Sequence, residues 1–525
     1  MKKAAIIILS CFCFSLSACQ LITPSSSLGE TDSSSSTSKI SASHAESGVT
    51  DCVHMDENND DFCDACESSV TVTFDFYGIN DLHGKFADSD SQAGVDELTT
   101  YLKAAKAENP NTVFLSSGDM WQGSSESNLT KGNIITEWMN EVGFAAMTLG
   151  NHEYDWGETY IENNLEMAEF PFLAINVYEK STNRRVEYCK SSVTLDFGEV
   201  QIGIIGAIGD CYSSISVDKV QDVYFKTGAN LTSLVKEESK KLREEGVDYI
   251  VYSLHDGYGS SSTGTGAITD SKLSSYYDIA LSKGYVDLVF EGHTHQHYVL
   301  KDTHGKYHLQ DGGDNDGISH AEVKINYANG HSTVSEAEFI STSEYDTLQD
   351  DPIVSTLMKK YEAQITIADE ILGYNSNYRS SSALRKILAQ LYLEAGEKKW
   401  SNYDIVLGGG YMSARSPYNL YQGQVKYGDL MSIFPFDNEL VLCSIEGRYL
   451  TSRFLSGRDN YYVYCGSYGE SIKNRIVEDQ TYYLVTDRYS SLYADNHLTE
   501  IEIYDTTTFA RDLLAEYIRK GGLAG

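Results

Sequence analysis

Five short apolar runs of strand length each lead directly into a polar cluster, and this arrangement limits the possible folds more than any other feature of the chain. The runs are residues 70–79, 112–115, 145–149, 249–254 and 286–290. Helix-like stretches, such as 93–107 and 231–245, separate several of the strand-length runs. Alternation of strands and helices predicts an α/β fold.

The polar clusters that follow these runs contain the residue types of a metal site. In open α/β sheets, sites gather at the carboxyl ends of the strands. The candidates are Asp81, His83, Asp119, Asn151, His152, Asp155, His255, His293 and His295. Carboxylates and imidazoles suit Zn, Mn, Fe or Co, and a carboxylate such as Asp119 can bridge two ions about 3.5–4 Å apart. We expect Asp81 and His83 to lie on one face of an extended strand end, and likewise His293 and His295.

These five motifs, in this order, closely resemble those of the calcineurin-like metallophosphoesterases, and within them the 5′-nucleotidase family. The resemblance implies an N-terminal four-layer α/β/β/α sandwich and a smaller C-terminal α/β nucleotide-binding domain. The expected boundaries are 70–345 for the catalytic domain, 350–371 for a helical linker and 372–525 for the C-terminal domain.

The resemblance also implies a role for each candidate. One divalent ion would be held by Asp81, His83, Asp119 and His295, and the other by Asp119, Asn151, His255 and His293. His152 matches the family's transition-state histidine, and Asp155 matches the acid that orients it. The identity of the ions is left open among Zn, Mn, Fe and Co.

The C-terminal region carries weaker counterparts of the family's substrate contacts. The positions that match or could replace them are Arg379, Arg385, Arg415, Phe436, Asn438, Tyr489 and Asp495. The family's Gly-Gly-Asp-Gly-Tyr segment is replaced here by the sequence from Tyr489 to Asp495, without its glycines, so the exact substrate stays open.

The resemblance predicts an extracellular phosphoric ester hydrolase that acts on nucleoside 5′-monophosphates. The nearest alternative is a 2′,3′-cyclic-nucleotide phosphodiesterase with 3′-nucleotidase activity, which shares all five motifs. A nucleotide-sugar or dinucleotide hydrolase is the next alternative. A non-catalytic nucleotide-binding surface lipoprotein is the alternative of another class. The formal charge of −36 argues against nucleic-acid polymers as partners. A small nucleotide is the expected partner, and no protein partner is predicted.

The first residues have the features of a bacterial lipoprotein signal. Lys2 and Lys3 precede an apolar run that is too short to span a bilayer. The following Leu-Ser-Ala-Cys resembles a lipobox, which would make Cys19 the lipidated residue; ordinary signal cleavage is the alternative. Residues 20–50, rich in Ser, would form a flexible tether. We therefore expect a lipid anchor in the cell membrane as the chain's membrane contact, with the enzyme facing outward.

Residues 51–67 form a compact cluster of cysteine, histidine and acidic residues. Cys52, His54, Cys63 and Cys66 could enclose one structural zinc. The acidic run 56–60 could instead offer oxygens to calcium, and disulfides are a third possibility outside the cell. The remaining alternative is that the cluster has no specific role.

Overall fold

The computed structural model describes residues 52–88, 93–258, 266–267, 284–302, 304–412, 414, 419–455, 463–467, 469–492 and 497–525. Cys19, the tether, Arg415 and Asp495 lie outside the described residues. Residues 1–53 and 54–525 are separate units, and the architecture that follows is that of the second unit.

The strands of the described chain alternate with helices in the first half and then continue into the C-terminal region. They are β1 Thr71–Ile79, β2 Val113–Ser116, β3 Ala146–Thr148, β4 Phe172–Leu173, β5 Val177–Glu179, β6 Ser192–Asp196, β7 Gln201–Ile208, β8 Val223–Phe225, β9 Tyr249–His255, β10 Gly266–Ala267, β11 Leu288–Phe290, β12 His297–Lys301, β13 Tyr307–Asp311, β14 Gly317–Asn326, β15 Ser332–Ser341, β16 Ile371–Asn375, β17 Ile405–Gly410, β18 Gly423–Lys426, β19 Leu440–Glu446, β20 Val463–Gly466, β21 Thr481–Asp487 and β22 Thr499–Ile503. The helices are α1 Asp96–Glu108, α2 Ser125–Thr130, α3 Asn133–Val142, α4 Glu158–Met167, α5 Ala229–Glu244, α6 Pro352–Ile365, α7 Ser381–Lys399, α8 Tyr427–Ile433, α9 Gly447–Tyr449, α10 Arg488–Leu492 and α11 Ala510–Arg519.

Two sheets stack face to face in the N-terminal part. The first has the order β15-β14-β1-β2-β3-β4, and the second β10-β12-β13-β11-β9-β7-β6. Their shared core contains Phe74 and Phe76 from the first sheet, with Val251 and Phe290 from the second. The strands β1, β2, β3 and β4 are parallel, as are β7, β9 and β11, so polar residues can follow several strands at one edge.

Helices cover the outer faces of both sheets. Leu98 of α1, Trp138 of α3, Ile161 of α4 and Leu357 of α6 belong to one core with the outer face of the first sheet. Leu231, Val235 and Leu242 of α5 pack with Ile250 and Tyr252 on the outer face of the second. These layers confirm the predicted α/β/β/α sandwich.

The C-terminal part has its own sheet, in the order β20-β17-β21-β19-β22. Leu388 of α7 and Leu514 of α11 share a core with Val485 of β21. A smaller α/β unit was predicted for this region, and the structure confirms this fold class.

The predicted linker 350–371 is helical over only part of its length. Helix α6 begins after Asp351, whose side chain accepts a hydrogen bond from the N–H of Ile353 at 2.9 Å. The helix ends at Ile365, and Ile371 already belongs to β16. Because Leu357 and Tyr361 are buried in the N-terminal core, α6 is part of that layer rather than an exposed connector.

No helix among the described residues is both long and apolar enough to cross a bilayer.

Candidate metal centre and adjoining pocket

The backbone turns into the left-handed region directly after the strands that lead to the site. The residues with positive φ are Asp81 (49°), His83 (50°), Asp119 (56°), His293 (69°) and His295 (50°). Our expectation of extended strand ends was therefore wrong. Strands β1 and β11 end at Ile79 and Phe290, before the candidate ligands begin. Non-glycine residues seldom adopt this conformation, and such strain clusters at functional sites.

The left-handed turns bring Asp81, His83 and His295 together, with one ligand atom of each within 4.8 Å of the others. The Nδ1 of His83 lies 2.9 Å from the carbonyl oxygen of Gln122, and its Nε2 lies 3.0 Å from the Nε2 of His295. The Oδ2 of Asp81 accepts the N–H of His293 at 2.7 Å. The buried Oδ1 of Asp81 lies 3.4 Å from the Nε2 of His295 and 3.8 Å from the Nε2 of His83. A buried carboxylate oxygen that faces two imidazole nitrogens fits a bound cation.

A second set of candidates adjoins the first. The Nε2 of His255 lies 3.1 Å from Asp119 Oδ2 and 3.1 Å from Asn151 Oδ1. The His293 ring is 5.5 Å from the His255 ring. Ligand atoms of Asp81, Asp119 and His255 also lie within 4.8 Å of one another, so the two sets meet at the carboxylates. Oxygen and nitrogen donors in two adjacent sets fit a pair of divalent ions.

The electrostatics of the cluster favour positive charge. Asp81, Asp119 and His255 are fully buried. Burial lowers the pKa of His255, but the charge and hydrogen bond of Asp119 overcome this effect and raise the pKa to about 10. Burial, together with the neighbouring His255, lowers the pKa of His293 to about 4, which keeps this imidazole in the neutral form that binds metals.

His152 and Asp155 form a pair beside these ligands. The Nδ1 of His152 lies 2.7 Å from Asp155 Oδ2, and the His152 ring is 5.3 Å from the His83 ring. A carboxylate at Nδ1 fixes the tautomer and orientation of the imidazole, which directs Nε2 away from Asp155.

Glu153 is a functional residue that we did not single out, although it stands inside the predicted motif. Its buried carboxylate accepts the N–H groups of Gly150 (2.7 Å), Asp119 (2.9 Å), Met120 (2.9 Å) and Trp121 (3.4 Å). It thereby ties the loop that carries Asp119 to the loop that carries Asn151. Burial and the charge of Asp119 raise the pKa of Glu153 to about 7.

A pocket joins the His152–Asp155 pair to the C-terminal domain. Its lining includes Phe436, Asn438 and Tyr489, which the sequence predicted as substrate contacts. The Phe436 ring lies 5.8 Å from the His152 ring, with 35° between their planes. Residues distant in sequence therefore share one cavity.

The segment that carries Phe436 is held by partly buried ionic contacts. Arg511 of α11 donates to the carbonyl oxygen of Phe436 at 3.0 Å and pairs with Asp437. Asp437 also lies 2.7 Å from the Nζ of Lys131 in the N-terminal domain. These contacts position Phe436 beside His152.

The remaining predicted contacts are placed differently. Arg379 donates to Asn375 at 3.2 Å, and Arg385 donates to the carbonyl oxygen of Tyr411. Neither arginine belongs to the described lining of this pocket. Arg488 does line it and pairs with Glu439 at 2.8 Å; no sequence motif pointed to Arg488.

Comparison with known proteins identifies the class of the N-terminal domain. Residues 74–297 match the family described as calcineurin-like phosphoesterase, and the chain carries a domain of this class. Calcineurin-like phosphoesterases are hydrolases that use a dimetal centre, so the predicted enzyme class is confirmed.

Similar proteins extend the comparison to most of the chain. Protein UshA of Yersinia enterocolitica is 24% identical over 87% of this chain and 92% of its own length. Apyrase of Tabanus yao is 32% identical over 41% of this chain and 38% of its own length. The crystal structure of a 5′-nucleotidase precursor from Thermus thermophilus has a TM-score of 0.65 at 17% identity, covering 86% of this chain and 96% of that chain. The structural likeness shows a shared two-domain fold.

Replacing Glu153 with Gln should weaken divalent metal binding by about 10–100-fold, because an amide offers one acceptor oxygen where the carboxylate offers two. The affinity is measured by titrating the metal-depleted variant with Mn²⁺, with catalytic activity and direct binding as the two readouts. Activity should recover at saturating Mn²⁺. Exposed Glu162 on α4 provides the control Glu162→Gln. Unchanged affinity in Glu153→Gln would show that the two loops hold their geometry without this carboxylate.

Proposed function

We propose that this chain is a lipid-anchored extracellular enzyme that hydrolyses nucleoside 5′-monophosphates to nucleoside and phosphate. The observation that carries the proposal is the pocket in which His152 and Asp155 meet Phe436, Asn438 and Tyr489. One wall offers groups for phosphate chemistry, and the other offers aromatic rings for a base. A nucleotide has both parts, joined at a distance set by its ribose.

The ligands proposed for the two ions are Asp81, His83, Asp119, Asn151, His255, His293 and His295. The bound ions would activate water and offset the charge of the phosphate oxygens. His152, oriented by Asp155, would hold a proton near the leaving oxygen and stabilise the charge that develops there. Glu153 would hold the loop that carries Asp119 and the loop that carries Asn151 in fixed relative positions.

The rings of Phe436 and Tyr489 give the pocket its preference for a base. Stacking on an aromatic ring contributes about 1–3 kcal/mol per base and tolerates different bases. Asn438 offers an amide for polar contact, and Arg488 offers a cation on the same lining. Arg379 and Arg385, placed outside the lining, and Arg415 and Asp495, outside the described residues, stay candidates by resemblance alone.

The anchor is proposed from the lipobox at Cys19, with residues 20–50 as the tether to the enzyme. Lipidation of a cysteine at the new N-terminus would retain the enzyme on the membrane and leave the pocket facing outward. The full chain should partition into the detergent phase of Triton X-114, and Cys19→Ser should partition into the aqueous phase. Equal partition of both proteins would refute the anchor.

A panel of phosphate esters tests the reaction. Phosphate release should be fastest from AMP, slower from 3′-AMP and 2′,3′-cyclic AMP, and abolished by EDTA. His152→Asn should lower kcat by about 10²–10⁴-fold with unchanged metal content; exposed His304 gives the control His304→Asn. Faster turnover of 2′,3′-cyclic AMP or UDP-glucose would favour the corresponding alternative enzyme. No release from any substrate with metals replete would favour a non-catalytic nucleotide-binding protein.

Replacing Phe436 with Ala should lower kcat/KM for AMP by about 5–150-fold, the equivalent of a lost stacking contact of about 1–3 kcal/mol. Phe436→Tyr should retain most of the activity because it keeps the ring. Ribose 5-phosphate, which has no base, should be hydrolysed equally by all three proteins. An equal loss on ribose 5-phosphate would assign Phe436 to the packing around His152 instead of to base recognition.

A further inference from the structure

A second cluster of metal-binding side chains lies apart from the pocket, in the segment that precedes β1. One ligand atom each of His54, Cys63 and Cys66 lies within 4.8 Å of the others. The Nδ1 of His54 is 3.6 Å from the Sγ of Cys66. Zn–N of about 2.0–2.1 Å and Zn–S of about 2.3 Å, at a tetrahedral angle, place nitrogen and sulfur about 3.6 Å apart. The observed separation is therefore that of two ligands on one zinc.

Backbone amide groups surround the sulfur of Cys63. The amide groups of Met55, Ala65 and Cys66 form hydrogen bonds with the sulfur of Cys63. The N–H of Asp64 donates to the carbonyl oxygen of Met55 at 2.8 Å, which closes the loop between these two residues. Outer hydrogen bonds of this kind orient metal ligands.

The acidic residues of the same segment are engaged differently and do not form a calcium cage. Asp56, buried, accepts the N–H groups of Asp60 and Asp61, both at 3.1 Å, and the side-chain amide of Asn326 at 2.7 Å. Asn58 accepts the N–H of Asp60 at 3.0 Å. Because these oxygens satisfy amide groups, they shape the loop rather than converge on one point.

We propose that residues 52–66 form a structural zinc site whose ligands are Cys52, His54, Cys63 and Cys66. Cys52 is assigned as the fourth ligand because it stands two residues before His54, so the chain supplies it close to the other three. The set is Cys₃His with a C-x-x-C pair, a combination typical of closed structural zinc sites. This site is separate from the two catalytic ions and is independent of the proposed function.

The zinc site would fasten the start of the folded enzyme to its sheet edge. The segment is seated on the β14–β15 hairpin through Asp56 with Asn326, Asp61 with Lys324, and the His54 ring 5.7 Å from the Tyr327 ring. It then leads directly into β1, which pairs with β14. Because the predicted tether precedes Cys52, zinc would prevent fraying from spreading from the tether into β1.

Zinc release by a mercurial reports thiolate-bound zinc, because mercurials attack thiolates. Cys211→Ser is the control for the buried thiol that lies beside His255 and His293, and it should release zinc like the parent. The full chain, loaded with Zn²⁺, is treated with p-hydroxymercuribenzoate in the presence of a zinc indicator. About one zinc per chain should be released. Substitution with Co²⁺ should produce the sulfur-to-cobalt absorption of a tetrahedral thiolate site.

Variants assign the release to named residues. Cys63→Ser, Cys66→Ser and His54→Ala should each lower the affinity for the mercurial-released zinc by at least 10-fold. The kcat for AMP should stay unchanged in all three variants. Cys443→Ser, at a buried thiol elsewhere in the chain, is the matched control and should release zinc like the parent. Limited proteolysis within 52–69 should increase in the three ligand variants and in the demetallated parent.

Three outcomes would overturn the proposal. Absence of thiol-linked zinc together with cysteines that resist alkylation until reduction would show disulfides. Binding of Ca²⁺ that Asp56→Asn abolishes and Cys63→Ser retains would show a calcium loop. Equal zinc release from the parent and from all three ligand variants would place the zinc elsewhere. If the parent protein released zinc as expected but did not hydrolyse AMP, the result would count against the proposed function alone.

Discussion

The candidate metal centre depends on the burial of two carboxylates, Asp81 and Asp119, within reach of each other. Two negative charges out of water repel each other and cost free energy unless positive charge or hydrogen bonds offset them. Here the surroundings supply both, through backbone N–H groups and a ring of imidazoles. The raised pKa of His255 is one consequence, since a proton on this ring is stabilised by the same carboxylates that would bind a cation.

The backbone conformation also helps to bring the buried carboxylates and the imidazoles together. Left-handed residues after β1, β2 and β11 are strained, yet they turn side chains from two different sheets towards one point. Glu153 stabilises this arrangement by accepting several N–H groups that the turns leave without strand partners. The strained residues and the hydrogen bonds of Glu153 that stabilise them both lie in the loops. The stacked sheets below support these loops.

The pocket beside His152 also requires the C-terminal domain, which supplies Phe436, Asn438 and Tyr489. Next to Phe436, Asp437 pairs with Arg511 of its own domain and with Lys131 of the N-terminal domain. An ion pair of this kind is directional and places a loop more exactly than apolar packing can. The pocket that results has the His152–Asp155 pair on one wall and the rings of Phe436 and Tyr489 on the other, which is the arrangement from which we propose a nucleotide substrate.

The sequence by itself determined the fold class, the order of the polar motifs and the residue types of the metal centre, because strand periodicity and metal-ligand chemistry are local properties. It missed the left-handed turns at Asp81 and His83, since backbone strain is held by neighbours distant in the chain. It also missed Arg488, whose place in the pocket no motif records. Only the tertiary structure decided that Phe436 meets His152, because this contact depends on how two domains pack, and packing is a property of the whole chain.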